Sequence, residues 1–145
     1  MKRVLISVIG LQHPYEGGED ADNAVEVITE GIYHMDKDGN GWFRYEESPM
    51  SELGSTVTTF YVNHNSARMV RTGFVKAEME FDLTASKSFI YGTDYGGIPM
   101  TITTSSIINR LNENGGELTL NYSLAMNSIP FGENRFSFSI RELNA

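Results

Sequence analysis

The stretch DKDGNGWFRYEE, residues 36–47, matches the calcium loop of an EF-hand position by position. Oxygen-bearing side chains stand at its first, third, fifth and twelfth positions, and a glycine, Gly41, stands at the sixth; the four are Asp36, Asp38, Asn40 and Glu47. Carboxylate and amide oxygens around such a glycine are the ligands that Ca²⁺ prefers. The alternative is a β-hairpin turn, in which Asp-Gly and Asn-Gly supply the positive φ that tight turns need.

The residues on either side of this stretch favour the hairpin. An EF-hand loop needs a helix on each side, but the preceding AVEVITEGIYH is β-branched and is interrupted by Gly31. Pro49 would end a helix that left the loop after Glu47. In a hairpin Glu47 would lie about 20 Å from the tip, at ~3.3 Å per residue, and could not complete a coordination sphere. We therefore predict a turn without a calcium site, which tolerates replacement by a plain Asn-Gly turn.

Other residue types with catalytic or metal-binding potential form no recognisable site. The histidines, His13, His34 and His64, are 21 and 30 residues apart, unlike the short spacings of zinc ligands. The absence of cysteine excludes disulfides, thiolate metal sites and a cysteine nucleophile. No G-x-S-x-G motif is present to expose a serine nucleophile. We predict no metal, no cofactor and no enzymatic activity, with an enzyme of an unrecognised type as the alternative.

The composition is that of a soluble globular domain. The chain has 145 residues, of which 40% are hydrophobic and 21% are charged. Eleven Lys and Arg residues against 19 Asp and Glu residues give a net charge of −8. Because an acidic surface repels phosphates, nucleic acid is not an expected partner.

The N-terminus briefly resembles a signal peptide, since Lys2 and Arg3 precede an apolar run. That run, Val4 to Leu11, is short, contains Ser7 and is followed by no small-residue cleavage site. We interpret it as the first strand. No segment approaches the ~20 apolar residues that span a bilayer. We predict one cytoplasmic domain over residues 1–145, without a membrane partner.

About ten segments carry the alternation of apolar and polar residues that is typical of half-buried strands. The clearest are GELTLNYSLAM and ENRFSFSIRE near the C-terminus. Short turns join the segments and no helical period is present, which indicates antiparallel hairpins. So many strands in one sheet usually curl and close, because closure removes exposed edges. We predict an all-β antiparallel barrel of eight to ten strands, with a β-sandwich as the alternative.

Several polar residues fall in phase with apolar ones on the predicted strands. Arg71 shares a strand face with Met69, while Tyr91 and Tyr122 share theirs with other apolar residues. An inward arginine is costly unless it meets a carboxylate or a pocket. The alternative is an arginine whose stem covers apolar surface and whose head reaches solvent. Arg44 lies on a strand whose inner face the pattern leaves ambiguous. We predict four lining residues of an interior ligand site: Arg44, Arg71, Tyr91 and Tyr122.

The segments EGIYH, GWFRYEE, RTG, YGTDYGGIPMTITT, ELTLNYSLAM and FSFSIRE occur in a characteristic order and spacing. The most specific are R-Y-E-E at Arg44–Glu47 and Y-G-G-I-P-M at Tyr95–Met100. Together they resemble the YwiB-like family of small uncharacterised bacterial proteins, from about Val25 to Leu143. The resemblance implies a calycin fold, which is a lipocalin-like β-barrel, and a hairpin turn at Asp36–Gly41. It implies no catalytic or binding residues. The acidic loop His13–Asn23 is longer than the resemblance leads us to expect.

These observations lead to two functional hypotheses. The first is a non-enzymatic cytoplasmic barrel that holds a small hydrophobic or anionic ligand in its interior, since barrels of this size have room for one small ligand. The second is a module for protein interaction or self-association. Its surface would be an exposed apolar patch formed by Trp42, Phe60, Tyr61 and Val62. For the protein itself we predict either a monomer or a homodimer.

Overall fold

The computed structural model describes residues 1–14, 23–47, 56–73, 76–93, 96–126 and 129–143. The acidic segment 15–22 lies outside the described residues. Within them, ten strands form one sheet, and each strand pairs antiparallel with its neighbours. The strands are β1 (Lys2–Pro14), β2 (Asn23–Met35), β3 (Gly41–Glu46), β4 (Thr56–Val62), β5 (Ser66–Gly73), β6 (Ala77–Asp82), β7 (Lys87–Thr93), β8 (Gly96–Asn112), β9 (Gly115–Met126) and β10 (Ile129–Glu142).

The strands form where apolar residues recur at every second position. In β6, Ala77, Met79 and Phe81 are buried, whereas Glu78 and Glu80 are exposed. An alternation of this kind places one face of the sheet in the core and the other in water. No part of the described chain is a helix of the length and apolarity that crossing a membrane requires.

The sheet curls into a nearly closed barrel. Its order is β6-β5-β4-β3-β2-β1-β10-β9-β8-β7, so the first strand pairs with both the second and the last. The two edge strands, β6 and β7, follow one another along the chain. Lys76, which directly precedes β6, exchanges two backbone hydrogen bonds with Gly92 of β7, with N–O distances of 3.0 and 2.8 Å. The predicted all-β antiparallel barrel of eight to ten strands is confirmed. Its likeness to calycins and the single-domain boundaries at 1–145 stay predictions.

Aromatic rings fill the middle of the barrel. The Phe60 ring centroid lies 5.2 Å from that of Phe43 and 4.7 Å from that of Phe138, and all three side chains are buried. Phe81 of β6 meets Tyr122 of β9 at 5.0 Å, and Tyr122 stacks on Phe136 at 5.7 Å. The interior is therefore a packed core rather than an open channel.

We call the end of the barrel that carries the turns at 36–40, 63–65, 83–86 and 113–114 the lower end. Here the amide nitrogen of Asn109 donates to the carbonyl of Gly39 at 2.9 Å and to that of Asn63 at 3.3 Å. The hydroxyl of Tyr33 donates to the carbonyl of Asn112 at 2.6 Å. These bonds tie two turns to β8 and hold the lower end together. We call the opposite end the upper end.

The stretch that resembles a calcium loop forms the hairpin turn between β2 and β3, as predicted. The carboxylate of Asp36 accepts hydrogen bonds from the backbone nitrogens of Asp38 at 2.8 Å and of Asn40 at 3.0 Å. These bonds hold the pKa of Asp36 below its ordinary value. Glu47 lies beyond the upper end of β3, a whole strand away from the turn. The described residues contain no group of three or more His, Asp or Glu side chains that could hold a metal ion.

The tip of this turn is nevertheless more than a bare loop, because Gly39 is buried with φ of +82° and is tied to Asn109. The expectation that a plain turn could replace the segment is therefore revised. Replacing residues 36–40 by Asn-Gly should lower the free energy of unfolding by about 1 kcal/mol, the contribution of one such hydrogen bond. Thermal melts measure the loss. In an Asn109→Ala background, where this hydrogen bond is already absent, the replacement should not lower the free energy of unfolding further. Millimolar calcium should leave the melting temperatures of the wild type and of the replacement variant unchanged.

Candidate ligand site in the barrel interior

Arg71 of β5 points into the barrel near its upper end. Its side chain is 11% exposed, and that of Glu47, which follows β3, is 8% exposed. One guanidinium nitrogen of Arg71 lies 3.9 Å from a carboxylate oxygen of Glu47. An inward arginine therefore meets a carboxylate, which is one of the two arrangements that make its burial tolerable.

Thr58 of β4 stands between the two charged groups. Its hydroxyl donates to the Glu47 carboxylate at 3.0 Å and accepts from the Arg71 Nε at 3.4 Å. Strand β4 lies between β3 and β5 in the sheet, so neighbouring strands bring the three side chains together. With Tyr45, whose hydroxyl lies within reach of Arg71 and Thr58, they form what we call the upper polar cluster: Tyr45, Glu47, Thr58 and Arg71.

Two phenol groups, that of Tyr45 in the upper polar cluster and that of Tyr122 on the facing wall, stay protonated at neutral pH. Burial raises the pKa of Tyr45 well above its ordinary value, and the Glu47 charge raises it further, against a smaller opposing effect of Arg71. Burial likewise raises the pKa of Tyr122, and the charge of Arg71 opposes that shift. Both tyrosines therefore serve as neutral hydrogen-bonding groups.

A second set of polar side chains faces the interior from the opposite wall. Thr104 of β8, Tyr122 of β9 and Asn134 of β10 are direct cross-strand partners, and we call them the cross-strand row. The Thr104 hydroxyl and the Asn134 side-chain nitrogen are buried, and neither has a hydrogen-bond partner in the described part of the chain. Thr104 is only 7% exposed. Buried polar atoms normally have partners, so these two call for an explanation.

Apolar side chains border the cross-strand row. Ile102 and Leu124, a cross-strand pair adjacent to Thr104 and Tyr122, lie on the same inner face, and Met100 follows one step further. Leu124 and Met100 are partly buried and pack against the core. The arrangement thus combines donors and acceptors with apolar surface, which is the composition of a small-molecule site.

The structure places three of the four predicted lining residues inside the barrel. Arg71 and Tyr122 belong to the region just described, and Tyr91 is partly buried against the core. Arg44 lies outside, so its prediction as a lining residue is wrong. Its guanidinium stands 5.2 Å from the centroid of the Trp42 ring and donates to Thr59 at 3.1 Å. On β3 it is Phe43 and Tyr45 that face inward, which resolves the ambiguous pattern.

The predicted apolar interaction patch is wrong for half of its members. Phe60 and Val62 are buried in the core. Tyr61, on the outer face of the same strand, lies under the guanidinium of Arg68 at 4.8 Å, as Trp42 lies beside Arg44. The four residues therefore do not form one exposed surface.

Sequence reasoning missed Glu47, Thr58, Thr104 and Asn134. Glu47 was not predicted to face the interior, although it follows Phe43 and Tyr45 at alternate positions and so shares their inward face. Thr58 has the same phase as Phe60 on β4. A search for polar residues in phase with buried aromatic residues would have found both. Thr104 is harder to find, because a register shift between Thr104 and Ser106 breaks the alternation of β8.

A cleft of about 350 Å³ lies between the lower ends of β3, β4, β5 and β6, away from the upper polar cluster and the cross-strand row. It is lined by Tyr61, Ala67, Arg68, Phe81 and Asp82, among others. Arg68 is already engaged, since it pairs with Glu78 at 3.0 Å in addition to its contact with Tyr61. The cleft presents no comparable set of buried polar groups among the described residues.

Comparison with known proteins gives consistent results for sequence and for fold. The chain is 28% identical over 108 residues to the "Uncharacterized beta-barrel protein YwiB" of Bacillus subtilis (strain 168), covering 73% of this chain and 74% of that protein. The crystal structure of ywiB protein from Bacillus subtilis matches with a TM-score of 0.76 at 20% identity, over 95% of this chain and 91% of that one. At this identity the structural match shows the fold alone.

These matches confirm the resemblance to YwiB that the sequence motifs indicated. The family in question is described as a domain of unknown function, DUF1934, and its sequence model matches residues 6–138. The match covers most of the chain, including both the upper polar cluster and the cross-strand row. The chain therefore belongs to the DUF1934 family.

Proposed function

We propose that this protein is a non-enzymatic cytoplasmic barrel that binds one small, neutral, partly apolar molecule. The molecule lies between the upper polar cluster and the cross-strand row. The observation that carries the proposal is the pair of buried, unpartnered groups on Thr104 and Asn134. A buried polar group without a partner costs about 1–3 kcal/mol, and a ligand that bonds to it recovers this free energy.

Of the hydrophobic and anionic ligands that the sequence allowed, the charges in the barrel favour a neutral, partly apolar one over an anion. Glu47 lies within 3.9 Å of Arg71 and balances its charge. The chain as a whole carries a net charge of −8, which adds a repulsive field for anions. Carbonyl or ether oxygens of a neutral molecule accept hydrogen bonds from Asn134 and Thr104 without disturbing the ion pair.

The packing of the core limits the size and position of the ligand. Phe43, Phe60 and Phe138 occupy the middle of the barrel, so the molecule sits towards the upper end rather than at the centre. Met100 and Leu124 offer it apolar contacts. A small amphipathic molecule, polar at one end and apolar at the other, fits this distribution.

A binding role rather than catalysis is supported by the state of the polar groups. The raised pKa values keep Tyr45 and Tyr122 protonated, so neither phenol acts as a base or nucleophile at neutral pH. The three histidines, the usual general bases, are exposed on strand ends and in a turn, away from the interior. What remains in the site is a balanced ion pair with hydrogen-bonding groups.

Replacing Thr104 by Val tests the proposal, because it removes the unpartnered hydroxyl and keeps the shape of the side chain. We expect the ligand-free protein to become more stable by about 1 kcal/mol in urea unfolding. Native mass spectrometry of protein purified from expressing cells should show a small molecule on the wild type and a reduced fraction on Thr104→Val. Gain of stability with loss of ligand is the pattern of a site kept for binding.

The matched control is Thr58→Val, the same change in a residue whose hydroxyl is fully used. It leaves Arg71 and Glu47 without their bridge, so it should destabilise the protein by about 1 kcal/mol or more. A wild-type protein that carries no small molecule, together with a Thr104→Val variant that is less stable, would refute the proposal.

A further inference from the structure

The outer face of β1 and β2 carries a stripe of apolar side chains that the interior site does not use. Leu5, Ile9 and Leu11 of β1 and Ile28 and Ile32 of β2 all point outward, opposite the buried Val4, Ile6 and Val8. Ile28 is 64% exposed and Ile9 41%. Ile28 stands diagonally between Leu5 and Ile9, so the side chains form a continuous line, which we call the outer stripe.

Opposite charges lie on the two sides of β1, with acidic residues alternating with the isoleucines of β2 and basic residues on β10. On the β2 side lie Glu26 and Glu30, the cross-strand partners of Ile9 and Leu5. On the β10 side lie Arg135 and Arg141, the cross-strand partners of Leu11 and Leu5. One row of the sheet therefore reads Glu30, Leu5, Arg141 from edge to edge, with an acidic end, an apolar middle and a basic end.

We propose that a second copy of this chain binds to the outer stripe and forms a two-fold symmetric dimer. The two-fold axis lies between the two copies, above Leu5 and parallel to β1. Rotation about it sets β2 of one copy over β10 of the other and leaves each residue at the same height along the strands. It sets Glu30 of one copy opposite Arg141 of the other, and the reverse. An axis across the strands would instead set acid against acid and base against base, so the charges select the first arrangement.

The charges that this arrangement brings together are available. Within the described ranges, Arg141 takes part in no ion pair. Glu30 pairs with Arg3 at 2.8 Å, but both are well exposed, and a carboxylate can accept from two cations. The dimer would thus give Arg141 a counter-charge beside a desolvated apolar line, which is the usual anatomy of an interface.

The size of the face suits a weak dimer. The three strands have 13, 13 and 14 residues. At ~3.3 Å per residue and ~4.8 Å between strands, their outer face measures roughly 40 Å by 15 Å, or about 600 Å². A standard interface buries about 800 Å² per partner, so we expect association in the micromolar range.

Sedimentation equilibrium on wild type and two isoleucine variants tests the surface. Wild type at about 100 µM should be largely dimeric, and Ile9→Glu should raise the dissociation constant by roughly tenfold or more. The matched control is Ile108→Glu on the outer face of β8, where the side chain is 46% exposed and lies away from the outer stripe. It should leave the dimer unchanged. A wild type that is monomeric at this concentration overturns the proposal. An equal increase of the dissociation constant in Ile9→Glu and Ile108→Glu overturns it as well.

A charge exchange tests the direction of the two-fold axis separately. Arg141→Glu and Glu30→Arg each set like charges against one another, and each should weaken the dimer several-fold. The double variant restores opposite charges across the axis and should recover most of the wild-type association. If the double variant is as weak as the sum of the single ones, the proposed pairing is wrong.

Discussion

Arg71→Met is expected to lower the free energy of unfolding by about 3 kcal/mol, the lower part of the range for breaking a buried ion pair. The substitution keeps the length of the side chain and removes its charge, so Glu47 remains buried without a counter-charge. The Thr58 hydroxyl, which donates to Glu47 at 3.0 Å, compensates only partly. We choose the lower part of the range because the charged groups are 3.9 Å apart and retain some exposure. Urea unfolding followed by tryptophan fluorescence at Trp42 measures the change.

The double variant Arg71→Met, Glu47→Leu is the control for this result. With both charges gone, no buried charge is left unpaired, and the stability should return to within about 1 kcal/mol of wild type. Recovery in the double variant attributes the loss to the stranded carboxylate rather than to poor packing of methionine. An Arg71→Met variant that unfolds at the wild-type urea concentration would show that Glu47 does not depend on Arg71.

The architecture was predictable because it follows from a local signal. Alternation with a period of two marks β6, β9 and β10 in the sequence, and turn residues separate them, so strands and antiparallel order could be predicted without knowing any contact. The turn at 36–40 followed from its Asp-Gly and Asn-Gly pairs in the same way. Closure also followed from a general tendency, since a sheet of ten strands leaves long edges unless it curls.

The candidate site was only partly predictable, because it depends on which strands become neighbours and in what register. Glu47 and Arg71 lie 24 positions apart in the sequence and on strands separated by β4. The inward phase of Arg71 indicated that its charge needs a carboxylate or a pocket, but nothing in its own segment identified which carboxylate. Cross-strand register, a property of the whole sheet, decides that Thr58 stands between them.

Two errors have a common physical cause. Arg44 and the pair Phe60 and Val62 were misplaced because β3 and β4 carry large aromatic residues on both faces. Trp42 and Tyr61 are outward residues of the same aromatic type as the buried Phe43 and Phe60, and each lies beside an arginine that covers its ring. When stacking with arginine makes an outward aromatic residue stable, hydrophobicity no longer distinguishes the two faces.

The interior site and the outer stripe can be separated experimentally, because they use opposite faces of the same sheet. Thr104→Val changes an inward side chain of β8, and Ile9→Glu changes an outward side chain of β1. Loss of the bound molecule without loss of the dimer, and the reverse, is the expected pattern. If both changes abolished both properties, the two surfaces would be coupled through the wall of the barrel, contrary to their independent geometry.

Phe60→Ala is expected to destabilise the protein by about 4 kcal/mol, as truncations of a fully buried phenylalanine do. Phe60 is 0% exposed and makes ring contacts with Phe43, Phe136 and Phe138, so its removal opens a cavity at the centre of the barrel. The matched control is Tyr61→Ala, the next residue on the same strand, which points outward under Arg68 and should cost less than about 1 kcal/mol. Urea unfolding of both variants measures the contrast. A larger cost at Tyr61 than at Phe60 would mean that β4 has the opposite face inward, and the packed core that confines the ligand to the upper end would be wrong.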